Sequence, residues 1–161
     1  MIRPTRPEDL ETLLAIYAHA REQMKKNGNP NQWGTSWPSD GIVREDIRLG
    51  RSFAVEEEGT IRGVFVFFVG HDRTYDVIRE GEWLNDEPYG VIHRIAAAED
   101  GRQIMHKAIE FGKQFVGNIR IDTHENNVIM RHCVTKEGFS YCGHITTDNG
   151  TDRLAFQKVF R

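Results

Sequence analysis

Apolar residues recur three and four positions apart at Leu10, Leu13, Leu14, Tyr17 and Met24, with charged and polar residues between them. That spacing puts the apolar set on one face of an α-helix. Thr5-Arg6-Pro7-Glu8 ahead of it reads as a capping box, and Lys25-Lys26-Asn27-Gly28 behind it as a stop. Residues 27–41 lose the period and are dense in turn formers, yet they carry Trp33 and Trp37. A second, short helix is expected next, capped by Asp40, with Ile42, Val43 and Ile47 on its apolar face and Gly50 at its end.

The period then becomes strand-like. Residues 52–57 and 60–69 read as two strands joined at Glu58-Gly59, and the run Val64-Phe65-Val66-Phe67-Phe68-Val69 is apolar throughout, which places this strand centrally in a sheet. No period holds from Gly70 to Pro88, an excursion containing Tyr75 and Trp83, and aperiodic segments of that length commonly carry function. A strand over 89–96, a helix over 101–115, a strand over 118–123 and a helix over 127–137 follow, the last stopped by Gly138. Strands 139–146 and 153–160 close the chain around the turn Asp148-Asn149-Gly150, and residues 1–4 suit a short leading strand. A strand-helix-strand-helix unit flanked by hairpins predicts an α/β (mixed α+β) fold with one mixed sheet. No linker rich in Gly, Ser or Pro divides the chain, so residues 1–161 are read as a single domain.

Composition narrows the function classes. The chain has 161 residues, 39% of them apolar, which suits a folded domain with a modest core and excludes disorder. Its 21 Lys and Arg face 24 Asp and Glu, a net charge of −3, whereas a nucleic-acid binder would carry a basic stripe. No apolar run reaches the roughly 18 residues of a membrane span, and Met1-Ile2-Arg3-Pro4-Thr5-Arg6 lacks a signal-peptide core, so a cytoplasmic protein without membrane contact is expected. Cys133 and Cys142 offer neither a disulfide framework nor a Cys-x-x-Cys pair, and Cys133 reads as a core residue. His124 and His132 do not stand at ligand spacing, and Cys142-Gly143-His144 has no matching pair, so no metal is expected.

The element order, together with Gly90-Val91-Ile92-His93-Arg94-Ile95-Ala96, Asn118-Ile119-Arg120-Ile121-Asp122-Thr123-His124 and Glu137-Gly138-Phe139-Ser140-Tyr141-Cys142-Gly143, resembles the GNAT superfamily of acetyl-CoA-dependent N-acetyltransferases. Gln32-Trp33 and Trp83-Leu84-Asn85-Asp86-Glu87-Pro88-Tyr89-Gly90 are similar to a bacterial subgroup of it. The resemblance spans nearly the whole chain. It implies a splayed, mostly antiparallel sheet of six to seven strands flanked by about four helices, with acetyl-CoA as co-substrate and no metal.

By the same resemblance the pantetheine arm lies between strands 91–96 and 118–123, against the backbone at Ile95, Ala96 and Ala97, where an N–H can also stabilise the oxyanion. The pyrophosphate would sit on the N–H groups at a helix start near residue 101, formed by Gly101, Arg102, Gln103, Ile104, Met105 and His106. Asn127 matches the family Asn whose side chain meets the pantetheine. The family pattern Gln/Arg-x-x-Gly-x-Gly/Ala is replaced by Asp100, Gln103 and Met105 at its marked positions, which limits the approach of the backbone to the phosphates. Gly101-Arg102 can compensate by relaxing the turn and forking onto phosphate. The Tyr that often protonates the leaving thiolate is Val134, with Tyr141 as the substitute to be tested.

His93, on the central strand beside the splay, is the candidate catalytic base, set against the alternative of a half-buried histidine bonded to a loop. His124 is a weaker candidate for contact with the acceptor. Trp33, Trp37 and Tyr89 are candidate walls of the acceptor pocket, while for the two tryptophans the competing reading is that they pin the loop to the core. Glu56-Glu57-Glu58 reads as a solvated hairpin tip, and Glu80, Glu82, Asp86 and Glu87 as surface acids. Two functions follow. One is transfer of an acetyl group to a primary amine of a small molecule or peptide, by direct attack in a ternary complex. The other is a GNAT-fold binding module, impaired in transfer, for a small molecule or protein partner. C-terminal strands of this kind pair between subunits, so a homodimer is the expected assembly.

Overall fold

A computed structural model describes residues 1–160, so Arg161, the last position of the expected 1–161 domain, lies outside the described residues. Strands β1 (Ile2–Pro4), β2 (Ser52–Glu57), β3 (Thr60–Val69), β4 (Gly90–Ala97), β5 (Asn118–Thr123), β6 (Ser140–Thr146) and β7 (Asp152–Val159) form one sheet in the order β1-β2-β3-β4-β5-β7-β6. Neighbours are antiparallel except β4 and β5, which run parallel because a helix returns the chain between them. The four helices are α1 (Leu10–Lys26), α2 (Asp40–Arg48), α3 (Ile104–Gly112) and α4 (Val128–Lys136). This is the mixed α/β fold that the element order predicts, with β4 rather than β3 at its centre.

Strand alternation sorts the core into two layers. Phe65, Phe67, Ile92, Ile119, Ile121, Leu154 and Phe156 pack against Ile104, Met105, Ala108 and Ile109 of α3 and Val134 of α4. Their strand neighbours point the other way: Val64 and Ala96 meet Leu13, Ile16 and Tyr17 of α1 and Val43 of α2, while Val91 and Ala155 meet Tyr75 of the excursion. Burying both faces explains why β3 has no polar alternation.

The 70–88 excursion is fastened to that second face. The Trp83 indole N–H donates to the Tyr75 carbonyl at 2.8 Å, and the Leu84 N–H donates to the Gln157 side-chain oxygen at 2.9 Å. Asn118 donates to the Asn85 side chain at 2.7 Å, and the buried Arg120 guanidinium lies between the rings of Trp83 and Tyr89, 4.2 and 4.1 Å from their centroids. Aromatic faces take the place of a carboxylate for this cation.

Three local expectations change. The side chain that caps α2 is Ser39 rather than Asp40, its hydroxyl accepting from the Ile42 N–H at 3.3 Å. The carboxylate that closes the first cap is Asp9, accepting from the Arg6 N–H at 2.8 Å, whereas the Thr5 hydroxyl donates to the Ser52 carbonyl at 3.2 Å. A 3-10 turn over Pro7–Asp9 moves the acid one residue along, and Thr5, buried beside β2, is spent on the sheet. The helix expected over 101–115 begins only at Ile104, because Gln103 takes the left-handed conformation at φ +55° and holds the preceding turn outside the helix.

Candidate active site at the splayed strands

β4 and β5 pair only through Gly90 and Val91, opposite Ile119 and Arg120. From Ile92 onward the edge of β4 that faces β5 has no ladder partner, and unpaired backbone amides need one. A bulge accompanies the splay: the β3–β4 register passes from Val64↔Ala96 to Val66↔His93, so Phe65 faces both Arg94 and Ile95. Arg94 lies at φ +44°, a left-handed conformation that costs a non-glycine residue free energy. Tertiary contacts hold it there. Its guanidinium grips the buried Asp46 carboxylate through two hydrogen bonds of 2.7 and 2.8 Å, and its carbonyl accepts from the Tyr17 hydroxyl at 2.8 Å.

The splay opens into a groove of about 720 Å³ bounded by the end of α1, the end of β4 at 95–97 with Ala98 after it, the start of α3 and the start of α4. Gln103 caps α3 without a side-chain hydrogen bond, so the first N–H groups of that helix lack intrahelical partners. His106 Nδ1 and the Glu137 carboxylate join α3 to the end of α4 across the groove through a hydrogen bond of 2.8 Å.

On the opposite face of the sheet, His93 is set among acids. Its Nε2 lies 2.8 Å from an Asp72 carboxylate oxygen, and its Nδ1 lies 3.8 Å from Asp122. An ionised carboxylate only accepts, so Asp72 holds a proton on Nε2, and in the neutral imidazole the lone pair is on Nδ1, facing β5 across the splay. Asp72 is itself held by Thr74, whose N–H and hydroxyl donate to the other carboxylate oxygen at 2.9 and 2.6 Å. Burial opposes ionisation of Asp72, yet the hydrogen bonds from His93 and Thr74 outweigh it and hold the group well below the usual carboxylate range. The Tyr75 hydroxyl donates to Asp122 at 2.6 Å, and burial together with that carboxylate pushes Tyr75 far above the ordinary phenol range. Tyr75 therefore stays a neutral donor.

An acetyltransferase of the GNAT family from Streptococcus agalactiae 2603 superposes on the chain with a TM-score of 0.88 at 30% identity, over 100% of this chain and 95% of that one. The chain belongs to the GNAT family of acetyltransferases. A GNAT acetyltransferase from Listeria monocytogenes 4b F2365 (TM-score 0.72, 21% identity, 99% of this chain and 94% of that one) shares the fold. So does a chain of the NatC complex bound to Gag peptide and CoA (TM-score 0.62, 13% identity, 100% of this chain and 98% of that one). No family sequence model and no curated protein matches the chain.

The residues present fit the acetyl-CoA of a GNAT protein. Ile95, Ala96, Ala97, Gln103, Ile104, Met105, His106 and Asn127 all line the groove. The free N–H groups at the start of α3 suit phosphate without any glycine, and Asp100 is neutralised by an ion pair with Arg62. Gly101 and Arg102 lie elsewhere. A Cβ on Gly101 would stand 2.2 Å from the Arg62 carbonyl, so this glycine permits close approach to β3, and Arg102 folds back onto the carbonyls of Glu99 and Gly101 at 3.1 and 2.9 Å. Both polar ends of the Asn127 side chain are engaged, the oxygen accepting from the Met130 N–H at 3.1 Å and the nitrogen donating to Gln32 at 3.1 Å.

Of the residues expected to wall an acceptor pocket, Trp33 packs edge-on against Tyr17 with centroids 5.6 Å apart and belongs to the core, whereas Trp37 is exposed. The Tyr89 hydroxyl accepts from the Asp72 N–H at 2.9 Å and so steadies the acid behind His93. His124 accepts from the Asn126 N–H at 3.0 Å, and burial followed by the Arg153 charge lowers its pKa. Val134 is fully buried, and Tyr141 lies against Phe156 and His144 away from the groove, so neither offers an acid. Among the described residues no group of three or more His, Cys, Asp or Glu is arranged to hold a metal ion, and no helix is long and apolar enough to cross a membrane.

Sequence reasoning missed Asp72, Asp122 and Asp46. The second of these was visible as a polar residue between Ile121 and Thr123 on a strand ending at the splay; the other two become partners only through the fold.

Proposed function

We propose that the protein is a single-domain N-acetyltransferase that moves the acetyl group of acetyl-CoA to a primary amine of a small molecule or peptide. The observation that carries this reading is His93, oriented by Asp72 and faced by Asp122, beside the unpaired edge of β4. Acetyl-CoA, when bound, supplies an acetyl thioester at that edge. The backbone of 95–97 and the start of α3 orient the donor, and Asn127 with Gln32 keeps the mouth of α4 in place. Asp72 and Asp122 favour approach of an ammonium group. His93 Nδ1 takes the first proton from the arriving ammonium and passes it to solvent at its partly exposed edge, so that the free amine attacks; the second N–H proton leaves to solvent as the N–C bond forms and the C–S bond breaks. With a buried Val134 in place of an acid, the departing thiolate takes its proton from water.

We extend the reading to the cytoplasm, in keeping with the free thiols of Cys133 and Cys142, and to a homodimer, in keeping with β6 as an edge strand. Millimolar acetyl-CoA is expected to raise Tm, and amine-dependent thiol release is expected to fall steeply in His93→Ala. A raised Tm without thiol release for any amine would leave a binding module instead. The absence of both a raised Tm and thiol release sinks both readings.

A further inference from the structure

We infer that the acceptor is a free amino acid, its carboxylate held by the Arg153 guanidinium while its amine reaches His93. This rests on the acetyltransferase reading and narrows it. Arg153 and Arg120 are the two buried arginines among the described residues. Arg120 is faced on both sides by aromatic rings, whereas Arg153 donates to two backbone carbonyls, Asp152 at 3.1 Å and Gln32 at 3.3 Å. A guanidinium carries five N–H donors, so most of its hydrogen-bonding capacity is unspent. The carboxylate of adjacent Asp152 is turned to Arg79 and to His144, the latter at 2.7 Å, and Asp122 receives Tyr75. Among the described residues Arg153 forms no ion pair. Asp122 and Asp152 act on its charge only from a distance, its free N–H groups are not sealed off from an incoming group, and a planar fork of N–H groups matches a carboxylate.

Position makes the missing partner a part of the acceptor. Ile92, Ile121 and Leu154 all enter the α3 layer, so His93, Asp122 and Arg153, each adjacent to one of them, project from the opposite face of three neighbouring strands. Asp122 pairs with Ala155, and Arg153 is the next residue of β7 on that face, a diagonal of about 7–8 Å that long side chains span. The Gln32 carbonyl brings the loop carrying Trp33 and Trp37 to the same corner. The site is thus polar along its length, with carboxylates around His93 at one end and an unpaired cation at the other. An amine and a carboxylate within one small molecule match both ends. A chain N-terminus, whose carboxylate is remote, matches only the first.

The test uses matched acceptors: glycine, L-alanine, β-alanine and γ-aminobutyrate, each against its carboxamide, and the aminophosphonate counterparts of the same lengths. Binding is read by calorimetry and transfer by thiol release from acetyl-CoA. The wild-type protein is expected to favour carboxylate over carboxamide by roughly 10- to 100-fold at the best chain length, the scale of a charge-assisted pair. Arg153→Gln is expected to bring that ratio near one, and Arg153→Lys to keep part of it. Equal use of carboxylate and carboxamide by the wild type, a ratio that survives in Arg153→Gln, or tenfold tighter binding of the phosphonates overturns the inference. The wild-type ratio needs no variant, so a misfolded Arg153→Gln does not remove the test. Carboxylate-selective binding without thiol release overturns the acetyltransferase reading and leaves the carboxylate site standing.

Discussion

Removing the Asp46 carboxylate is expected to be among the most damaging single changes in the protein, and to act on the groove from outside it. Asp46→Ala takes away both acceptors of the Arg94 guanidinium, 2.7 and 2.8 Å distant, at a site where the Arg94 side chain is only 21% exposed. Stripping one partner from a buried pair costs about 3–5 kcal/mol, and the partial exposure of Arg94 argues for about 3. Arg94 also sits at φ +44°, a conformation that costs a non-glycine residue about 1–2 kcal/mol and that the ion pair helps to hold. A domain of this size loses roughly 2–4 °C of Tm per kcal/mol, so a fall of about 6–12 °C is expected in a thermal melt. The double variant Asp46→Ala/Arg94→Gly removes the stranded charge and supplies the residue that tolerates positive φ, and it is expected to recover at least 3 °C of that loss. Acetyl-CoA affinity, measured by calorimetry, should weaken in Asp46→Ala and partly return in the double variant, since β4 at the bulge lines the groove. A Tm loss under 2 °C, or a double variant no more stable than the single one, would refute the claim that this pair holds the bulge.

His93→Ala is expected to lower kcat by about 10²- to 10⁴-fold, read by thiol release, and to lower Tm as well because Asp72 loses a hydrogen-bond donor; a kcat loss under threefold removes His93 as base. Asp72→Asn tests the pH dependence of stability. The folded pKa of Asp72 is depressed, so its contribution is complete above the unfolded value of about 3.9 and is lost as pH falls through the folded one. The Tm gap between wild type and variant should therefore be widest above about pH 4 and shrink toward pH 2, and a gap that widens in acid contradicts the geometry. Gly101→Ala should lower Tm of the ligand-free protein by about 4–8 °C, because its Cβ would stand 2.2 Å from the Arg62 carbonyl and overpacking of this kind costs about 2 kcal/mol. An unchanged Tm with weakened acetyl-CoA binding would return this glycine to the phosphate site. Gln103→Gly should tighten acetyl-CoA by about threefold or more, since glycine suits φ +55° and clears the start of α3; calorimetry showing weaker binding refutes it.

The elements were legible where their cause is local. Apolar periodicity placed α1, β2, β3 and β5 to within a residue or two, because each buries a whole face or both faces. The start of α3 was not legible, since a left-handed Gln103 leaves no compositional mark of the kind a glycine would. His93 could be picked out from the strand it occupies. Its partner Asp72 stands 21 residues away in a segment without period, and Asp46 stands 48 residues from Arg94, so only the fold makes either a neighbour.

Electrostatics follows the same division. A net charge of −3 suggests nothing unusual, and Glu99-Asp100 ahead of α3 looks hostile to a phosphate-rich donor. Folded, Asp100 is met by Arg62, and the N–H groups that begin α3 present partial positive charge to the groove. The two signs are separated on the other face, where Asp72 and Asp122 surround His93 and Arg153 is buried beyond them, without an ion-pair partner among the described residues. A field with that polarity does little for a simple alkylamine, which needs only the acidic end. It gains its full effect when one acceptor spans both ends, so the ratio of carboxylate to carboxamide use measures the field more directly than kcat for any single amine.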